Sequence, residues 1–138
     1  MAIAGNLTTI TIDSEDLLAR VPTLSRALPE NQASWAPQIT AGRADALEAF
    51  HVSKGHDPAR AAAVDSGDWE RILAFFALAV AYRGMGPEFE ERAALWQTQA
   101  EGALGRLLYR YDADDSGVLA EDAVDEEMQA AKEIQLER

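Results

Sequence analysis

The chain of 138 residues contains no cysteine. That excludes a disulfide framework, a thiolate-ligated metal and a cysteine nucleophile. It leaves the compartment open, because an oxidising space tolerates such a chain as well as the cytosol does. Positive charge is scarce: 12 Lys and Arg stand against 24 Asp and Glu, for a net charge of −12. So acidic a surface repels phosphate, which argues against sequence-independent nucleic-acid binding. It is compatible with a protein that surrounds DNA without gripping it. No apolar run reaches membrane length. The longest uncharged one, Ile72 to Tyr82, suits a buried core helix better than a bilayer span. The N-terminus lacks a basic stretch followed by an apolar one, so no signal peptide is expected. These absences point to a soluble, non-secreted protein with no membrane contact. The motifs GxSxG, GxxxxGK(S/T) and HExxH are missing too, and no enzymatic activity is expected.

What is present is alanine, with few β-branched residues after Ile12, and 48% hydrophobic residues overall. The length suffices for one domain with one core. The composition predicts a mainly α fold, a small helical bundle built on a long antiparallel helix hairpin. An extended N-terminal arm and an acidic C-terminal arm flank it. The boundaries are residues 1–13 for the N-terminal arm or strand, 14–111 for the helical core, and 112–138 for the acidic turn and C-terminal arm.

The hairpin spans Asp68 to Tyr111 and turns through Gly84-Met85-Gly86-Pro87. Ser66 or Asp68 can cap its first helix, in which Trp69, Ile72, Leu73, Phe76, Ala79 and Val80 keep helical spacing. Phe75, Leu78 and Tyr82 widen the apolar arc almost all round. Such a helix is central in its domain or is covered by a partner subunit. Pro87 suits the first turn of the second helix. Its stripe runs through Phe89, Ala93, Trp96, Ala100, Leu104 and Leu107. Ala93, Ala94, Ala100, Gly102, Ala103 and Gly105 would permit close helix approach, and Arg106 and Arg110 would complement the negative end of the helix dipole.

Upstream, Asn6 to Ile12 alternates apolar and β-branched polar residues, which predicts a short strand that needs a partner. The competing reading is an arm ordered only on contact. Asp13 or Ser14 can cap a helix with Leu17, Leu18 and Val21 on its apolar face. Trp35 is expected as a core plug, with ligand stacking as the alternative. A helix over Gln38 to Val52 would bury Ile39, Ala46, Leu47 and Phe50, although Gly42 weakens it. Ala59 to Val64 reads as a helical turn.

After Tyr111 ten acids (Asp112 to Glu137) face only Lys132 and Arg138, so −10 + 2 = −8 of the −12 lies in this last fifth. Glu121 to Leu136 can form a helix with a thin apolar stripe of Val124, Met128, Ala131 and Ile134. Asp112, Asp114 and Ser116, with Gly117 at the sixth place, match the first half of a calcium loop. The twelfth place, where a bidentate glutamate belongs, holds Ala123. The competing reading is an acidic turn with Gly117 at positive φ. His51 and His56 lie five apart with Gly55 between, a spacing that does not suit a helical metal pair.

An apolar helix ending in Ala81-Tyr82-Arg83, a short break, a second helix of about six turns with Trp96 at its middle, then Leu107 to Tyr111 and the Asp112-to-Gly117 turn make a joint pattern. It resembles the head–tail connector (adaptor, or head-completion) proteins of long-tailed bacteriophages and gene-transfer particles. The resemblance covers Trp69 to Gly117. It implies a helical subunit of a homo-oligomeric ring in the virion neck, made in the bacterial host cytoplasm. The ring would join the portal protein to a tail-side neck or stopper protein and extend the channel, through which DNA passes without specific binding. It implies no catalytic residues. The first helix, apolar on most sides, would find cover in neighbouring copies. The alternative is a non-enzymatic regulator, a calcium-binding or partner-binding helical module.

Overall fold

The computed structural model describes residues 3–60, 62–107 and 110–111. Its described residues form a small, mainly helical bundle: α1 (Ser14–Arg20), α2 (Ala36–Lys54), α3 (Ser66–Arg83) and α4 (Glu90–Arg106). Both α2 and α4 pack along α3 and scarcely touch each other. Ten of the 18 residues of α3 are buried, from Trp69 to Tyr82. This helix is therefore central in its own domain. Its apolar girth is covered within one chain, which corrects the expectation that it needs neighbouring copies.

The start of α3 is fixed by Asp65 rather than by Ser66 or Asp68. The Asp65 carboxylate accepts from the Asp68 N–H at 3.1 Å, satisfying a donor that the first helical turn leaves free. Between α3 and α4 the turn uses Gly86 at φ 115°, where a side chain would be strained. Pro87 then opens a short 3-10 turn, Pro87–Phe89, that leads into α4.

The second helix ends earlier than its pattern predicts. Leu107 is already extended, and Arg110–Tyr111 forms a strand, so Arg110 does not sit in a helical last turn. That strand, β3, pairs with β2 (Ala62–Asp65), which also pairs with β1 (Ile3–Ala4). The result is a small antiparallel sheet in the order β1-β2-β3, with Ile3 opposite Asp65 and Ala62 opposite Tyr111.

Two further expectations fail at this sheet. Ala59 to Val64 does not make a helical turn, because strand pairing on both sides of β2 outweighs the weak helix preference of a few alanines. Asn6 to Ile12 is not a strand. The Asn6 side chain caps a 3-10 turn at Leu7–Thr9, and the Leu7 N–H donates to the Pro58 carbonyl at 2.9 Å. Leu7 is fully buried. The strand that does form, β1, lies before this stretch and finds its partner inside the chain.

Elsewhere the periodicity reads through. Asp13 caps α1 in a reciprocal capping box with Asp16. Trp35 is a core plug, 1% exposed, with its indole N–H donating to the Leu24 carbonyl at 3.3 Å. Along α2, Ile39, Gly42, Ala46 and Phe50 are buried, while Leu47 is only half-buried. Gly42 is the contact point: a Cβ there would lie 2.6 Å from the Ala77 backbone nitrogen.

Candidate functional site

The antiparallel hairpin sets the beginning of α3 beside the end of α4. Between them lies a cavity of about 300 Å³. Its apolar floor is Ile72, Phe75, Ala103 and Leu107, and its rim carries Arg71 and Arg106. Arg71 donates to the Asp68 carboxylate at 2.8 Å, a half-exposed pair within one helical turn. The Arg20 guanidinium of α1 stands 5.3 Å from the centre of the Phe75 ring, a cation–π distance. Trp96 lies 5.6 Å from the same ring. Among the described residues, neither Arg20 nor Arg106 has a carboxylate within 4.0 Å.

This groove offers cations over an apolar floor. Among the described residues its one carboxylate, Asp68, is engaged by Arg71, and neither a histidine nor a hydroxyl lines the wall. Arginines beside apolar side chains can hold an acidic, partly apolar group. A second cavity, of about 450 Å³, opens beside the start of α1 between Ile12, Ser14, Ser34 and Thr40. Two carboxylates line it, Asp13, which is taken up by the α1 cap, and Glu15.

The histidines stand apart in environment. His51 is exposed on α2, and His56 lies beyond Gly55 with its ring edge-on to Phe50 at 6.2 Å. Burial, aided by the Arg60 charge and opposed by Asp57, holds the His56 pKa below its ordinary 6.5. Among the described residues no three His, Asp or Glu side chains are grouped to hold a metal ion. The calcium-loop candidates Asp112, Asp114 and Ser116 lie outside the described residues, as does the Glu121 to Leu136 stretch. No described helix is long and apolar enough to cross a membrane.

Sequence reasoning did not find the groove. Arg20, Arg71 and Arg106 are far apart in the chain, and Arg106 reads locally as a helix-dipole partner. The usable signal was the hairpin itself: it must place the first turn of one helix against the last turn of the other. No family model, curated protein or solved structure matches this chain.

Proposed function

We propose that the chain is a structural virion-assembly protein, a subunit of the ring that joins a phage portal to the tail and extends the DNA channel. The observation that carries this reading is the hairpin. An 18-residue α3 and a Gly-Pro turn lead into a 17-residue α4, after which Leu107 is extended and Arg110–Tyr111 is a strand. The helix order and the turn agree with the pattern behind the resemblance to head–tail connectors, whereas α4 is shorter than the roughly six turns that pattern expects and stops before Leu107. The net charge of −12 suits a wall past which DNA slides.

An uncovered central helix no longer supports the ring. Contacts between copies would instead fall on outward faces, where Val52 of α2 is 76% exposed and Leu95 of α4 is 56% exposed. The partners are further copies of this chain, the portal protein and a tail-side stopper. Electron microscopy of the protein mixed with its cognate portal tests the reading. Ring density beneath the portal is expected. A protein that stays a monomer with and without portal overturns it.

A further inference from the structure

We propose that the acidic C-terminal segment, residues 112–138, docks in the groove between α3 and α4 of its own subunit. The proposal concerns a single chain and does not depend on the neck-ring reading.

Charge selects this occupant. The segment carries −8, and the rest of the chain is acidic as well, at −12 − (−8) = −4. Against that background Arg71 and Arg106 line one groove, Arg20 stands over the ring of Phe75 in its wall, and Asp68 answers only Arg71. Arg20 and Arg106 are left for carboxylates from elsewhere. The apolar parts match too. Beside the arginines, Phe75 and Ala103 are half-buried and so partly open to an occupant, next to the buried Ile72 and Leu107. In the segment, Val124, Met128, Ala131 and Ile134 recur at steps of four, three and three, one stripe of a helix flanked by acids. A thin apolar stripe is marginal alone and gains from such a seat.

Connectivity selects the same chain rather than a neighbour. Leu107 lines the groove, and Tyr111 pairs with Ala62 at the far end of β2, whose other end runs into α3. The four residues of β2 span only about 10–13 Å. The 138 − 111 = 27 residues that follow therefore begin about that far from the first residue of α3, the helix that carries Arg71. Residues 112–120 alone, if extended, would reach about 30 Å. Tethering at this range gives an effective concentration of roughly millimolar, which a free second copy does not match at ordinary dilution.

The absence of cysteine makes the test clean. Met128→Cys places one nitroxide label in the segment of the full chain, and amide signals are read by NMR. The amides of Ile72 and Ala103 are expected to lose most of their intensity, while that of Val52 keeps its own. Arg71→Glu with Arg106→Glu should restore the lost signals, with a melting curve to verify folding. Should that variant fail to fold, raising salt from about 0.05 to about 0.5 M in the labelled Met128→Cys chain should restore them instead, because screening weakens such contacts. Two results overturn the proposal. One is equal intensity at groove and control amides in the labelled chain. The other is broadening in a mixture of labelled carrier and unlabelled isotope-enriched protein, which would assign the occupant to a second copy.

Discussion

The two sides of α3 are joined to their neighbours in opposite ways. Against α2 the joint is made by missing volume. Gly42 lets the two backbones meet, and even a methyl group there would lie within 3 Å of both Phe76 and Ala77 main-chain atoms. Against α4 the joint is made by volume. Tyr82 stacks on Phe89 with ring centres 6.0 Å apart, Phe75 meets Trp96, and Ala93, Ala100 and Leu104 fill the gaps between. Side chains can change rotamer and backbones cannot, so the first joint is brittle and the second adaptable. A groove with arginines on its rim opens on the adaptable side, where side chains rather than main chains set the spacing.

The comparison can be broken first at the core. Phe76 is 2% exposed and belongs to the stretch of α3 that α2 touches. Phe76→Ala should cost about 3–5 kcal/mol, read as a lower denaturant midpoint with an unchanged slope. A variant that melts within a degree or two of the parent would show that the centre of the bundle is not packed around α3. Next comes Gly42→Ala. Alanine favours a helix over glycine by about 1 kcal/mol. Overpacking costs about 1–3 kcal/mol, and here the obstructing atoms are main-chain, so the upper end applies. The net effect should be a destabilised protein, and a stabilised one would mean that the backbones can part freely.

Sequence reasoning reached the four helices and their order because each carries an apolar repeat of helical period or a capping residue. It also reached Trp35 as a plug, in a stretch without helical period. It misread Gly42, which looked like a flaw in α2 and is the contact that lets α2 in. Conversely, Gly102 and Gly105 looked like contact points in α4. A Cβ at Gly102 would meet only the Arg106 side chain, and at Gly105 it would meet nothing. Ala94 is exposed as well. A small residue has the same local propensity wherever it faces, so only tertiary geometry says which one matters. The short sheet was illegible for a related reason. β1 and β3 have two residues each, too few for an alternating pattern, and their pairing partner lies some sixty and fifty residues away in the chain. The groove needed the same long-range information.

Gly105→Ala sharpens the contrast with the opposite sign. Gly105 is exposed, its φ is not positive, and a methyl group there meets open space. The substitution should raise stability by up to about 1 kcal/mol through helix propensity and a less flexible unfolded chain. The same chemical change would then destabilise at Gly42 and stabilise at Gly105. Thermal melts of the two variants beside the parent measure both, and equal signs would dissolve the distinction between the joints.

The smallest effect tests whether the α2 joint is closed at its far end. Past the α2 terminus, His56 abuts Phe50, and burial lowers its pKa, with Arg60 adding to the effect and Asp57 opposing it. A base whose folded pKa lies below its unfolded value binds its proton more readily when unfolded. Its contribution is therefore present above the unfolded value near 6.5 and is lost as pH falls through that value towards the folded one. Acidification also relieves self-repulsion in a chain of charge −12, an effect of opposite sign. The parent alone would thus give an ambiguous slope. The difference between parent and His56→Gln removes that common term, and any packing loss at Phe50 shifts the difference by a constant. The melting advantage of the parent should shrink as pH drops from about 7.5 to about 5.5. An advantage that is flat across this window would mean that water reaches His56 freely and that the α2 joint is open where it meets Phe50.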